Sequence, residues 1–559
     1  MKRISLIFAL ITLVAAFTRL FRLGAIPAGF ANDEAAITYQ AYSILKTGRD
    51  TWGNLLPLFS FRDFGEHLPP FAVYAQVPFI KVLGLNEFAA RLPFALTGVI
   101  AIFAIYSLTK KLFKERAIAL AACFLFAISP LNLGWSRFVY EGNFGMLFFI
   151  LGINFFVSSR KNIKFLPASA FFFGLTFTTY HIYYLLTPIT VLLLFIPKIK
   201  SFWVNYRGVF LLTIIVGLIF TVYGFLIVVS GAGRERFRQV SIFSDGNAIN
   251  QLNVNRSYCS QILGSTVCRV FFNKATSYLS LYSYNYLFHF SPTYLALNGT
   301  FLRGTILPMH GLLYPFELPF FYLGIVLLLF WRNRTSYILL GWLTLYPLAN
   351  SFTSVGEISR IGHVMPLLPI ISALGIYKAY TYIAHTRFRT LILASLIVLA
   401  THNILGFFVN YFVIFPKSNS QFGSYAYVKL FKQIRKSNFS FKRYFISRDY
   451  TGNTPEFQAR IFLPLEPLAF QQSDRNQYII KRPQGYVDYQ RLDDFYFFDN
   501  LKEVNSTSED LVVLSKNQFR ANEEYSGRKI IFDVKEPNGD LALVAVLGGE
   551  PDNKIKYEK

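Results

Sequence analysis

Two adjacent acidic residues, Asp33 and Glu34, follow the first apolar segment of the chain. Acidic residues are scarce in this part of the sequence, because residues 1–416 contain 33 Lys and Arg but only 12 Asp and Glu. A positioned carboxylate can accept a proton from a substrate hydroxyl. The pair precedes a helix-like segment at 35–45, and the positive end of a helix dipole favours carboxylates. We therefore predict catalytic roles for Asp33 and Glu34, with solvation or helix capping as the alternative.

Further polar side chains lie at the ends of other apolar segments. They are Arg137, Glu141 and Asn143 in one short loop, His181 and Tyr183 at a second turn, and Arg360 and His363 at a third. We predict a catalytic role for Glu141 and substrate binding for the rest. The spacing of Arg137 and Glu141 also fits a surface ion pair, and Tyr and His are common in interfacial aromatic belts. Arg360 suits either phosphate binding or anchoring of its helix.

The composition indicates which elements must position these residues. The chain is 53% hydrophobic and only 15% charged, whereas about 25% of a soluble domain is charged. Several apolar segments approach or exceed the roughly 17–25 residues that cross a bilayer. The sequence therefore predicts a polytopic α-helical membrane protein.

The positive charge follows the loops between these segments. Residues 417–559 carry 22 basic and 19 acidic side chains, a net charge of +3, so residues 1–416 hold the remaining +21 of the total +24. An excess of Lys and Arg in short loops is typical of the cytoplasmic side. Binding of nucleic acid is the weaker explanation, because the basic residues are scattered rather than gathered on one face.

The basic loops predict a topology with the N-terminus in the cytoplasm and the C-terminus outside. We expect eleven spans, and up to thirteen if the ambiguous segments 71–84 and 180–184 are counted differently; 71–84 suits an interfacial helix better. A cleaved N-terminal signal peptide is the alternative for the first segment. The eleven segments are 4–21, 88–109, 117–134, 144–158, 165–180, 182–197, 208–229, 311–331, 336–352, 363–380 and 390–412.

The last part of the chain has a different character. Strand-like runs occur at 510–514, 529–532 and 541–546, the last after the turn signal Asn538-Gly539. We therefore predict a membrane domain at 1–416 and a small extracytoplasmic α/β or α+β domain at 417–559. Cys259 and Cys268 lie in one predicted outer loop, where they either form a disulfide or stay free. No Cys and His cluster supports a metal cofactor.

Several motifs together make the sequence recognisable. They are Asp33-Glu34-Ala35, the run 39–50, Pro69-Pro70, the run 84–93, and Ser136-Arg137 with Glu141-Gly142-Asn143. On these residues the chain resembles the GT-C membrane glycosyltransferases, specifically the superfamily of protein O-mannosyltransferases and the lipid A aminoarabinose transferase.

This resemblance implies a polyprenyl- or dolichyl-phosphate sugar as donor, inversion at the anomeric carbon, and Asp33 as the catalytic base. Many relatives carry a Lys immediately before the proline pair, but this chain has Leu68 there, with His67 next to it. His67, Arg137 or Arg360 would then supply the positive charge for the donor phosphate.

The leading hypothesis is therefore sugar transfer from a polyprenyl-phosphate donor to a hydroxyl acceptor at the outer face of the plasma membrane. The acceptor is left open among a protein, a lipid and a wall polysaccharide. The alternatives are a transporter or flippase, which needs ionisable residues deep inside its spans, and a non-catalytic membrane scaffold that displays the C-terminal domain.

Overall fold

A computed structural model of the chain describes residues 2–63, 66–229, 241–244, 246–297, 310–353, 358–437, 440–450, 454–463, 465–472, 479–481 and 487–549. Contacts between residues divide the chain into two compact units. The first unit consists of Met1–Phe21, Phe94–Ser136 and Tyr140–Phe407, and the second of Arg22–Pro93, Arg137–Val139 and Phe408–Lys559.

The first unit is built from helices, most of them apolar. A helix satisfies its own backbone hydrogen bonds, which is what an apolar segment in lipid requires. The helices of this part of the chain are Lys2–Leu20, Glu87–Phe113, Arg116–Ile128, Pro130–Ser136, Gly142–Ser159, Leu166–Leu175, Tyr183–Phe195, Ile199–Asn205, Arg207–Val229, Gly246–Leu263, Ser265–Phe271, Lys274–Phe288, Leu318–Trp331, Arg334–Leu345, Leu367–Ile383 and Arg389–Val409.

The number of helices able to cross a membrane is smaller than the predicted number of spans. Six helices of the described residues are long and apolar enough, namely Glu87–Phe113, Gly142–Ser159, Tyr183–Asn205, Arg207–Val229, Gly362–Ile383 and Arg389–Ser418. A seventh is reached if Arg116–Ile128 and Pro130–Ser136, which bend by 55°, form one span.

The remaining predicted spans correspond to short helices. Four apolar helices of 10–17 residues lie at Ile4–Leu20, Pro70–Leu83, Ile163–Thr178 and Pro315–Trp331, and Arg334–Leu345 has only 12 residues. At 1.5 Å per residue such a 12-residue helix is about 18 Å long, against about 30 Å of hydrocarbon. By length and composition alone the described residues thus give six or seven spans, and the other predicted spans correspond to shorter apolar helices, because an apolar segment need not be one continuous helix.

The second unit contains a six-stranded mixed sheet. Its order is Arg491–Leu492, Phe495–Phe498, Tyr444–Ser447, Leu511–Ser515, Leu541–Leu547 and Ile530–Lys535. Tyr444–Ser447 runs parallel to both of its neighbours, and the other pairs are antiparallel. The predicted C-terminal domain with strands near 510–514, 529–532 and 541–546 is therefore confirmed. One face of the sheet packs its core through Phe445, Val512 and Val544.

The rest of the second unit consists of short helices and two small hairpins. Its helices are Asn32–Thr47, Pro70–Leu83, Phe415–Ser418, Tyr425–Lys436, Pro455–Phe462, Pro467–Gln472, Lys516–Ala521 and Glu523–Ser526. The hairpins pair Phe61–Asp63 with Glu66–Leu68 and Ile479–Lys481 with Val487–Tyr489. Residues 22–93 thus share a compact unit with the C-terminal sheet, and the predicted division at 416/417 stays a prediction.

Candidate functional site

Asp33 and Glu34 lie in the first turn of the helix Asn32–Thr47. Ala31 precedes the helix in an extended conformation, and its N–H donates to Glu34 Oε2 at 3.1 Å. A glutamate at this third helical position commonly satisfies a free backbone N–H. Gly48 ends the helix at φ 67°, a conformation that glycine adopts without steric cost. The two acids differ in environment, because Asp33 is exposed and Glu34 is fully buried.

Glu34 forms a two-point ion pair with Arg91. Arg91 Nε donates to Glu34 Oε1 and Arg91 Nη2 to Glu34 Oε2, each at 2.8 Å. The Arg91 side chain is 0% exposed and the Glu34 side chain 1%. The Val139 N–H also donates to Glu34 Oε1 at 3.1 Å. These contacts stabilise the charged carboxylate and suit a positioning role, so the predicted catalytic role of Glu34 stays a prediction.

Arg91 also fixes the segment that leads into the helix. Its Nη1 donates to the carbonyls of Leu23 at 3.2 Å and Pro27 at 3.0 Å, and its Nη2 to that of Gly29 at 2.7 Å. One guanidinium therefore joins the acidic turn to the preceding segment. The residue was not predicted as a site residue, although an Arg within an apolar span is almost always paired with an acid or with backbone carbonyls.

Arg137 is a second buried cation of the same unit. Its Nη2 donates to the Ile26 carbonyl at 2.9 Å, and its guanidinium lies 5.1 Å from the Phe412 ring and 5.8 Å from the Tyr411 ring. Burial lowers the pKa of Arg137 below its ordinary value, with an opposite contribution from Tyr411. A guanidinium stays protonated in spite of such a shift. The predicted role of Arg137 in donor binding is thus compatible with a fixed positive charge.

His67 lies in the strand Glu66–Leu68, which pairs with the strand Phe61–Asp63. It stands opposite Arg62, and its Nδ1 lies 3.2 Å from Ser60 Oγ. Pro70 begins the following helix at the position that tolerates a missing N–H. His67 is partly exposed and occupies the place where the resemblance leads us to look for a phosphate contact.

Residues from the last quarter of the chain also contact the start of the acidic helix Asn32–Thr47. Asn32 Nδ2 donates to Thr454 Oγ1 at 2.8 Å, and Gln458 Nε2 donates to the Phe30 carbonyl at 2.9 Å and to Asn32 Oδ1 at 3.0 Å. No local pattern in residues 454–458 signals these contacts, because they join positions more than 400 residues apart. They constrain the residues immediately before Asp33.

A buried ion pair makes a further connection of the same kind. Arg460 Nη1 lies 3.2 Å from Asp63 Oδ2, and both side chains are 0% exposed. The Arg460 guanidinium also lies 5.1 Å from the ring of Tyr39, which belongs to the acidic helix. The helix Pro455–Phe462 thus helps to position the acidic helix Asn32–Thr47.

The other predicted site residues lie in the first unit, where three loops meet. Tyr140 hydrogen-bonds through its hydroxyl to the Ser359 carbonyl, and its ring lies 5.6 Å from that of Tyr180. Gly362 packs against Gly142 and Tyr140. The loops that contain Glu141 and Asn143, His181 and Tyr183, and Arg360 and His363 are therefore neighbours, and their placement on one side of a membrane stays a prediction.

Within this group several buried polar atoms have no hydrogen-bond partner among the described residues. They are Asn143 Oδ1, Tyr183 OH and Arg360 Nη1. The Tyr183 and His363 rings lie 6.4 Å apart, and each packs against Phe149. Buried polar groups are nearly always paired in proteins, so this cluster has the properties of a polar ligand site.

The described residues contain no group of three or more His, Cys, Asp or Glu that could hold a metal ion. Cys259 and Cys268 form a disulfide between the helices Gly246–Leu263 and Ser265–Phe271. Of the two outcomes left open for these cysteines, the paired one is therefore observed.

The fold is that of the GT-C membrane glycosyltransferases. ArnT from Cupriavidus metallidurans bound to undecaprenyl phosphate matches with a TM-score of 0.53 and 13% identity, over 97% of each chain. ArnT in the apo state gives 0.52 and 12%, again over 97% of each chain. The predicted fold class is confirmed by this match.

A second GT-C structure is less similar. The oligosaccharyltransferase AglB from Archaeoglobus fulgidus, in complex with an inhibitory peptide and a dolichol-phosphate, gives a TM-score of 0.47 and 14% identity. The match covers 82% of this chain, which spans 63% of the AglB chain.

The sequence itself matches one family. Residues 67–224, a little over a quarter of the chain, match the family described as dolichyl-phosphate-mannose-protein mannosyltransferase. No curated protein matches the chain significantly. The family match and the fold confirm the predicted resemblance to GT-C enzymes and support a glycosyltransferase embedded in a membrane.

Proposed function

We propose that this protein transfers a sugar from a polyprenyl-phosphate donor to an acceptor hydroxyl, with Asp33 as the general base. The acceptor oxygen attacks C1 of the sugar while the bond from C1 to the phosphate oxygen breaks. The polyprenyl phosphate leaves with that electron pair, and the hydroxyl proton passes to Asp33. Attack opposite the leaving group inverts the anomeric centre.

One observation carries the assignment of the base. Asp33 is exposed at the positive end of a helix, whereas the adjacent Glu34 is buried and bonded to Arg91. Glu34 and Arg91 fix the backbone on one side of Asp33, and Asn32 with Thr454 fixes it on the other. A carboxylate held in this way can reach a substrate at the helix terminus without a large loss of its own conformational entropy.

Positively charged and neutral hydrogen-bond donors are available to bind the departing phosphate. The ArnT structure of similar fold contains undecaprenyl phosphate, which supports a lipid phosphate as the leaving group here as well. Arg137 and His67 are the candidates in the second unit, and Arg360 and His363 those in the first. Charge-assisted hydrogen bonds from such groups stabilise an oxyanion more than neutral ones do. Asn143, His181 and Tyr183 are the candidates for the sugar, and Glu141 stays a candidate acid.

We propose that this site faces the extracytoplasmic side, with the N-terminus in the cytoplasm. The basic loops support this orientation through the positive-inside rule. The Cys259–Cys268 disulfide supports it independently, because it lies in a predicted outer loop and disulfides persist in oxidising compartments.

The transporter alternative receives little support from the described spans. The buried acid nearest to such a role is Glu317, whose Oε1 accepts the Tyr314 N–H at 3.3 Å at the start of the helix Leu318–Trp331. A carboxylate that caps its own helix has a structural explanation.

The test replaces Asp33 by Asn in cells that otherwise lack the gene. Envelope glycans and lipid extracts are measured by mass spectrometry. We expect Asp33→Asn to lower transfer by about 100- to 10,000-fold, the contribution typical of general base catalysis, and to leave the lipid-linked sugar unconsumed. Asp533→Asn is the matched control, because Asp533 is also an exposed aspartate of the second unit.

Equal amounts of folded protein must be present in the membrane for each variant, as judged by size-exclusion chromatography in detergent. Wild-type glycan levels with Asp33→Asn would remove this residue from the proposed role. Unchanged glycans and lipid-linked sugars upon loss of the whole gene would favour the scaffold alternative.

A further inference from the structure

A cavity of about 510 Å³ lies in the first unit, among the ends of three helices. The helices Gly142–Ser159 and Tyr183–Phe195 contribute residues from their C-terminal halves, and Arg334–Leu345 contributes residues along its length. Asn143 and Tyr183 stand at the first turns of the former two helices. An 18-residue helix is about 27 Å long, so the end of the cavity at Arg160 lies far from Asn143 on the first turn of the same helix. At the other end of the cavity Trp342 packs against Phe149, the ring that also contacts Tyr183 and His363.

The residues that line the cavity divide into a basic group and an apolar group. Arg160, Lys198 and Arg334 supply three positive charges, and Phe156 and Leu194 are among the apolar side chains. None of the described residues that line the cavity is acidic. Such a distribution matches an amphiphile with an anionic head and an apolar tail.

The three cations have no acidic partner among the described residues. The pKa of Arg160 is lowered by partial burial and by the like charge of Arg334. Positive charges that repel each other are stabilised by a shared anion, and a phosphate accepts hydrogen bonds from several cations at once.

A buried donor without a partner gives a second, independent observation. The Trp342 side chain is 3% exposed and lines the cavity, and its indole N–H has no hydrogen-bond partner among the described residues. Trp342 follows Arg334 by eight residues on one helix, a rise of about 12 Å. The basic residues and this N–H are therefore two separate polar positions along the cavity.

We propose that this cavity binds one anionic phospholipid, with its phosphate at Arg160, Lys198 and Arg334 and an acyl chain along the apolar wall. The Trp342 N–H then donates to an ester carbonyl of the lipid. The phosphate position of this site is distinct from the proposed donor site, because Arg160 follows the C-terminal end of the helix Gly142–Ser159 while Asn143 lies in its first turn. Its occupant is a structural or regulatory lipid from the leaflet beside these basic residues, not the sugar donor.

The experiment measures lipid retained by the purified full-length protein. The protein is placed in nanodiscs that contain phosphatidylglycerol and phosphatidylcholine, and the lipids released with the protein are counted by native mass spectrometry. We expect one retained phosphatidylglycerol for the wild type. Arg160→Gln with Arg334→Gln should weaken its retention at least about tenfold, since each basic residue near an anionic lipid is worth about 1 kcal/mol.

A matched charge control is Arg387→Gln with Arg389→Gln. Both residues are exposed, belong to another basic loop and do not line the cavity. This variant should retain the lipid like the wild type, which separates the cavity from a general effect of surface charge.

A second variant tests the cavity without changing its charge. Gly341 lines the cavity, and a Cβ added there meets nothing within 4 Å, so Gly341→Leu should fill the space and expel the lipid from a folded protein. Equal retention of phosphatidylcholine and phosphatidylglycerol would overturn the proposal. Wild-type retention in Gly341→Leu, or binding of inorganic phosphate as tight as that of the lipid, would overturn it as well.

Discussion

The substitution Glu34→Gln separates the two adjacent acids. It changes little in shape but removes the negative charge beside Arg91, whose guanidinium is 0% exposed. A glutamine can still accept one hydrogen bond from Arg91, but its NH₂ group faces a donor where the carboxylate had an acceptor. The expected result is a large loss of stability, accompanied by misplacement of Asp33.

The magnitude follows from the burial of the pair. Removing one partner of a buried ion pair costs about 3–5 kcal/mol, because the remaining charge stays desolvated. Since one hydrogen bond survives in Glu34→Gln, we expect the lower end, about 3 kcal/mol. For a unit of this size the midpoint of thermal unfolding, Tm, should fall on the order of 10 °C.

The assay is thermal unfolding of the purified full chain in detergent, with limited proteolysis as a second measurement. Asp33→Asn is the matched control, because it neutralises the neighbouring, exposed acid. That control should lose sugar transfer while its stability stays within about 0.5 kcal/mol of the wild type. Glu34→Gln should lose both sugar transfer and stability.

Two outcomes would refute this reasoning. If Glu34→Gln unfolds at the wild-type temperature, the Arg91 contact does not stabilise the unit. If Glu34→Gln is stable but inactive and Asp33→Asn is active, the two acids have exchanged roles and Glu34 is the base.

Two further predictions concern the second unit. Asp510 is buried, and burial alone would raise the pKa of its carboxyl, but hydrogen bonds from Arg443 and neighbouring groups hold that pKa below its ordinary value. Its stabilising effect is therefore present at neutral pH and is lost as the pH falls below about 4. Asp510→Asn should lower Tm at pH 7, and the difference from the wild type should shrink on acidification; a constant difference would contradict the assignment. Gly29→Ala should prevent normal folding, because Gly29 has φ 80° and an added Cβ would overlap the Gly423 carbonyl. Gly53→Ala, at φ 85° with no atom within 4 Å, should cost only about 1–2 kcal/mol; equal yields of the two variants in size-exclusion chromatography would show that the overlap is relieved.

Some elements of the site were predictable because their signals are local. The acidic pair followed by the helix-like run 35–45 predicted a helix, which the structure has at Asn32–Thr47. The strand-like runs near 510–514 and 541–546 are short apolar runs that contain several valines, and both form strands. The number of spans was not predictable in the same way, because hydropathy does not show where a helix bends or ends.

The sequence by itself determined the class of protein, the location of the acidic turn and the loops that carry the other candidate residues. Only the tertiary structure decided that Glu34 is buried and Asp33 exposed. Adjacent residues on a helix point about 100° apart, and which one faces inward depends on partners elsewhere in the chain. Arg91 and Val139 are those partners, and they reach Glu34 only because folding brings distant segments together.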